Sequence, residues 1–134
     1  MSKKGFLLIG HGSKKPYNKE LIESTAAHIA ENEDRFIVKS GFMSINTPTV
    51  DEKLEEFRDE DIDALVVVPL FLAKGIHIIV DIPEILGLKE GSNNGTFKLR
   101  NREVPLLYAG PIGCDPLLAE MMVNNADKVI NEHL

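Results

Sequence analysis

Nine successive apolar residues, Ala64 to Leu72 (ALVVVPLFL), constrain the fold more than any other stretch of this chain. A run that is apolar at every position belongs to a strand buried on both faces, and such strands occur in parallel sheets covered by helices. The run is too short to cross a membrane as a helix, which takes roughly 20 apolar residues. Pro69 offers no N–H to a sheet ladder, so regular pairing is expected to end there. Gly5 to Gly10 (GFLLIG) is a second run of the same kind, bounded by glycines. Phe36 to Met43 and Val104 to Ala109 read as two further strands.

Between these strands the apolar period changes from two to that of a helix. Leu21, Ile22, Thr25, Ala26 and Ile29 predict a helix from Pro16 to about Glu33, with the proline in its first turn. Pro48 opens a second helix whose stripe is Val50, Leu54 and Phe57. A third is predicted from Ile76 to Leu86, kinked or restarted at Pro83. Gly87 to Thr96 reads as a mobile surface loop, being rich in glycine, serine and asparagine. Asp115 can cap a last helix with Leu117, Leu118, Met121, Met122, Ala126, Val129 and Ile130 on one face. Strand and helix therefore alternate through a single domain, 1–134, of the α/β class with a mostly parallel sheet.

Charge and cysteine content narrow the function classes. The 21 acidic residues outnumber the 15 basic ones, and beyond Lys14-Lys15 there is no basic stripe, so nucleic acid is not the expected partner. The acid-rich stretch Asp51 to Asp63 contains no histidine and reads as a solvated helix face. A lone cysteine, Cys114, precludes an internal disulfide and suits a reducing compartment. No signal-peptide pattern precedes the first strand. The expected location is the cytoplasm, with no membrane contact.

Two segments carry chemistry, each just beyond the carboxyl end of a predicted strand, where open α/β sheets bind their ligands. Gly10-His11-Gly12-Ser13 follows the first strand, its glycines allowing a sharp turn that exposes the imidazole. It is neither a dinucleotide fingerprint, since Lys15 stands where a third glycine would be, nor a P-loop. Phe71-Leu72-Ala73-Lys74-Gly75-Ile76-His77 follows the third strand and starts a helix. Two imidazoles at one sheet edge can share a divalent ion or a proton-transfer task. Asp81, one helical turn after His77, can orient that ring or simply be solvated. Ser13 can bond a ligand or cap the turn that follows it. His28 and His133 read as surface residues, and Cys114 has no partner thiol.

The stretches LLIGHGSKKPYNKEL, VVVPLFLAKGIHIIVDIPEILG and GPIG (Gly110 to Gly113) resemble the small CbiX-type chelatases, the archaeal sirohydrochlorin cobalt and nickel chelatases. The resemblance covers almost the whole chain and implies a chelatase-like three-layer fold with a four-stranded, mostly parallel sheet. It also implies a homodimer. His11 and His77 match the metal-contacting histidines, and His11 the proton acceptor as well. Phe71, Leu72, Ala73, Lys74, Gly75 and Ile76 match the segment lining the tetrapyrrole. Similar proteins carry a glutamate before the proline that here is Pro48. This chain reads Ser44-Ile45-Asn46-Thr47, so Thr47 stands in the substrate-facing place without an acid.

On this reading the substrates are sirohydrochlorin and Co2+ or Ni2+, with no permanently bound cofactor. Insertion requires a partly dehydrated ion and removal of two pyrrole protons. Borderline ions favour imidazole ligands, and an imidazole, with a reference pKa of about 6.5, can also accept a proton near neutrality. Lys14, Lys15 and Lys74 could receive the substrate carboxylates. A non-catalytic carrier of metal or tetrapyrrole would use the same two histidines and stays open at this point.

Overall fold

The computed structural model describes residues 3–134. Five strands form one sheet: β1 (Lys3–Gly10), β2 (Phe36–Phe42), β3 (Ile62–Pro69), β4 (Asn94–Lys98) and β5 (Glu103–Tyr108). Their order is β2-β1-β3-β5-β4, with β4 antiparallel to β5 and every other pairing parallel. Pro69 is the last residue of β3, where it pairs with Ile9, as its missing N–H requires.

Four α-helices connect and flank the strands: α1 (Pro16–Asn32), α2 (Val50–Phe57), α3 (Ile82–Leu86) and α4 (Pro116–His133). The sheet separates two apolar clusters. Leu7, Ile9, Leu65 and Val67 pack with Val50, Leu54 and Phe57 of α2 and with Ile78 and Ile82. On the other face Leu8 and Phe42 enclose Ile22 of α1. A Cβ at Gly10 would come within 2.6 Å of Ile22, so the close approach of α1 depends on that glycine. Thr49, not Pro48, sets the start of α2. Its hydroxyl accepts from the Glu52 N–H at 3.1 Å, while the Glu52 carboxylate accepts from the Thr49 N–H at 3.2 Å.

One expectation needs correction, and two elements are defined more closely by the structure. The sheet has five strands, not four, because Asn94–Lys98 pairs along β5 instead of ending a surface loop. Only Phe97 of that strand is buried, so the edge strand lacks the apolar run or clear alternation that marks its neighbours. The helix predicted over Ile76–Leu86 divides into a π-helical turn, His77–Asp81, and α3, with Pro83 in the first turn of α3. The apolar stripe of α4 does not face the core. None of the helix's residues is buried, although Asp115 caps it by accepting from the Leu117 N–H at 2.9 Å.

The later part of the acidic stretch, in and just after α2, is bound in ion pairs. Glu55 pairs with Arg58 at 2.8 Å and Arg100 at 3.1 Å, and Asp59 and Asp61 pair with Arg100 and Arg102 at 3.1 Å. Hydrogen bonds from Arg58 and Arg100 hold the Glu55 carboxyl below its usual range. No helix among the described residues is long and apolar enough to cross a membrane.

Candidate functional site

The crossover from β2 on one side of β1 to β3 on the other makes the carboxyl ends of β1 and β3 a topological switch point, where such sheets open a crevice. β1 delivers His11 there. Its loop is held by groups distant in sequence. The Gly12 N–H donates to Asn18 Oδ1 at 3.1 Å, and the Ser13 N–H donates to Asn46 Oδ1 at 2.8 Å. The Met43 and Ser44 N–H groups donate to the carbonyls of Gly10 and His11 at 3.0 and 3.3 Å. Gly12 has φ +97°, and a Cβ there would lie 1.9 Å from the Ser44 carbonyl oxygen. Only glycine fits.

Asn46 is itself set by a tight turn. Its N–H donates to the Ser44 carbonyl at 2.7 Å, across an Ile45 at φ 68°. A β-branched residue in that region is a strained exception, found beside functional sites more than elsewhere.

β3 ends at Pro69, and the chain then runs through Phe71–Ile76 into the π-turn that starts at His77. The loop after β5 supports this segment. The Ala109, Ile112 and Gly113 N–H groups donate to the carbonyls of Val67, Phe71 and Leu72 at 2.8 to 2.9 Å. The Gly110–Gly113 stretch therefore acts as a backbone splint for the segment that carries the second histidine.

The two histidines, 66 residues apart, meet. His11 Nε2 and His77 Nε2 are 3.0 Å apart, with ring centroids at 4.6 Å. The opposite nitrogens fix the tautomers. His11 Nδ1 lies 3.1 Å from the Gly12 carbonyl and His77 Nδ1 lies 2.7 Å from Asp81 Oδ2, so each Nδ1 donates its N–H to an acceptor. With both Nδ1 atoms donating, each neutral ring keeps its lone pair on Nε2, and the two Nε2 atoms lie side by side. At 3.0 Å the pair can share a proton or offer both lone pairs to one cation beside them. An ion about 2.1 Å from each nitrogen would see them ~90° apart, a cis pair of positions in an octahedron. Among the described residues, no group of three or more His, Cys, Asp and Glu side chains gathers to hold a metal.

Phe71 stands 6.2 Å from both imidazole centroids, forming one wall. Leu72 and Ile76 are each 63% exposed, while Ala73, Lys74 and Gly75 lie open between them. Thr47 is exposed on the loop that clamps Gly12. The Ser13 hydroxyl accepts from the Lys15 N–H at 3.2 Å and so serves the turn into α1. Lys14, Lys15 and Lys74 are exposed and make no ion pair among the described residues. His28 and His133 are exposed and remote in sequence from these loops, and Cys114, also exposed, directly follows the Gly110–Gly113 splint.

Sequence reasoning found both histidines and Asp81 but missed Asn18, Asn46 and Tyr108. Ile45 and Ile79, in the segments that carry Asn46 and His77, are 62% and 57% exposed.

Comparison with known proteins finds relatives over almost the whole chain. The CbiX family model matches residues 5–129. A sirohydrochlorin cobaltochelatase of Methanococcoides burtonii is 42% identical over 131 residues, 97% of this chain and 100% of that protein. One from Methanosarcina barkeri is 41% identical over 128 residues, 96% and 98% of the two chains. Among solved structures, a cobalamin biosynthesis CbiX protein of Marinobacter aquaeolei VT8 superposes with a TM-score of 0.68. It covers 96% of this chain and 98% of its own at 21% identity, which speaks for the fold.

Proposed function

The chain belongs to the CbiX family, and from that premise we propose how it works as a sirohydrochlorin metal chelatase. It inserts a divalent ion, Co2+ or Ni2+, into the tetrapyrrole with loss of two protons. The observation that carries the mechanism is the approach of two Nε2 atoms to 3.0 Å while both Nδ1 atoms are tied back to acceptors. His11 and His77 hold the ion between them. Two neutral protein ligands leave its remaining positions to water and then to the pyrrole nitrogens.

Transfer is balanced in charge. When the dication leaves for the macrocycle, two imidazole lone pairs are freed, and the macrocycle gives up two pyrrole protons. His11, the more exposed ring, takes the first proton, and the second passes to His77 or to water. The site thus loses two positive charges and can gain as many back. Asp81 favours this exchange by accepting from His77 Nδ1 at 2.7 Å, which fixes the ring's tautomer and orientation.

The ring rests on Phe71, Leu72 and Ile76, with Ala73 and Gly75 allowing its flat face to approach. Lys14, Lys15 and Lys74 meet its carboxylates as mobile point charges. Anaerobic incubation with sirohydrochlorin and each divalent ion in turn, followed by absorption, tests the activity. Many turnovers per protein are expected. Stoichiometric binding without turnover would identify a carrier.

Thr47 is the position where an acid is missing. With proton removal resting on the imidazoles, Thr47→Glu is expected to leave the insertion rate within about tenfold, ~1.4 kcal/mol in barrier. A hundredfold acceleration in initial-rate assays would show that a carboxylate is the better base here.

The working form is a cytoplasmic homodimer. In support, α4 has no buried residue while Leu117, Met121, Val129 and Ile130 lie exposed along it, as does Leu107 on β5. An amphipathic helix of this length normally buries its apolar stripe, and a second copy supplies the cover. A cleft formed by one sheet edge is also shallow for a ligand of this size, since sites bury about 70–90% of a drug-sized ligand. Met121→Glu, which sets a charge in the middle of that stripe, is expected to convert the dimer to a monomer in sedimentation velocity runs at micromolar concentration. An unaltered protein that sediments as an active monomer would refute the assembly.

A further inference from the structure

His77 does not sit in an α-helical turn. From His77 to Asp81 the backbone is π-helical, and the Ile82 N–H reaches back five residues to the His77 carbonyl. Single π-turns are rare and recur at functional sites. This one creates a vacancy in its own hydrogen bonding. In an α-register the Ile78 carbonyl would accept from Ile82, but that N–H is committed to His77. In a continued π-register it would accept from residue 83, which is proline and has no N–H. Ile78 is only 5% exposed, and a buried carbonyl without a donor is unfavourable.

The donor comes from another strand. Tyr108, the last residue of β5, gives its hydroxyl hydrogen to the Ile78 carbonyl at 3.0 Å. Its ring also packs against the core cluster that contains Ile78 and Ile82. Burial pushes the phenol up to about 12, so it stays a donor throughout the physiological range.

We propose that Tyr108 is a positioning residue for metal transfer: by donating to the Ile78 carbonyl it holds the π-turn in the register that sets His77 Nε2 3.0 Å from His11 Nε2. Without that bond the turn can relax toward the α-register, in which Ile82 serves Ile78. His77 would then swing about the helix axis, away from its partner. Tyr108 touches neither ion nor tetrapyrrole in this role. It acts on the geometry of the pair, and the proposal rests on reading that pair as the metal ligands.

The test titrates Co2+ alone, anaerobically, into the unaltered protein, Tyr108→Phe and His77→Ala, following the visible ligand-field bands of bound Co2+. Metal-free sirohydrochlorin binding and thermal midpoints are measured on the same samples. Tyr108→Phe is expected to weaken Co2+ binding about tenfold, the low end for outer partners of metal ligands, and to alter the bands. KM for Co2+ should rise by a similar factor, with kcat within about threefold and sirohydrochlorin affinity within about twofold. A merely structural tyrosine would instead lower the thermal midpoint and weaken both ligands together, and that result would overturn the proposal. So would unchanged Co2+ affinity and bands in Tyr108→Phe alongside their loss in His77→Ala. Undiminished Co2+ binding by His77→Ala would remove the metal pair itself, and this role with it.

Discussion

Replacing either His11 or His77 with alanine is expected to cut sirohydrochlorin metallation by at least about a thousandfold, ~4 kcal/mol in barrier. In the proposed mechanism each substitution removes one of two ion ligands and one of two bases at once, so the losses compound within a single side chain. Stability should hardly change. His11 is exposed, and its ring bonds only its neighbour's carbonyl and the other imidazole. The His77 side chain is 39% exposed, and Asp81, left behind at 40%, remains solvated. Surface changes of this kind stay within about 0.5 kcal/mol. Anaerobic initial rates and thermal melts on both variants check the separation. A variant that retained a tenth of the parent rate would remove that histidine from the mechanism.

Gly12→Ala should damage the site by a different route. The new methyl would fall 1.9 Å from the Ser44 carbonyl oxygen, which is backbone and cannot rotate away, at a φ of +97° that side chains avoid. Relief requires moving either the Ser44-Ile45-Asn46 turn or the His11 loop. In both cases the bonds from Gly12 to Asn18 and from Ser13 to Asn46 are strained or broken. We expect a loss of about 3 kcal/mol in stability and a fall in insertion of a hundredfold or more, since displacements near 1 Å cost that much. Denaturant unfolding and initial rates measure the two effects. Wild-type values for both would mean that the clamp around His11 is slack.

The alternation of strand and helix was legible in the chain because both periods are written by neighbouring residues. Ala64–Pro69 is apolar at every position, so its place near the middle of a parallel sheet followed from the local pattern alone. The same logic located the Gly10–Ser13 and Phe71–His77 segments, since loops after parallel strands share one edge of the sheet. Asp81 was legible too, being one turn from His77. β4 was not. Asn94 and Gly95 have turn character, and they are extended because the free edge of β5 offers a ladder of hydrogen bonds.

The sequence by itself determined the α/β class, the family and the two histidines, because those rest on local pattern and residue type. Tertiary structure alone decided that the two Nε2 atoms lie side by side and which acceptors hold the rings that way. It also decided that Asn18, Asn46 and Tyr108 hold the loops, and that α4 leaves its apolar stripe outside. The physical reason is separation along the chain. Asn46 reaches Ser13 across 33 residues, Tyr108 reaches Ile78 across 30, and His11 reaches His77 across 66. Such contacts are set by strand order and by a carbonyl that Pro83 leaves without a donor, and no periodicity in neighbouring residues records either.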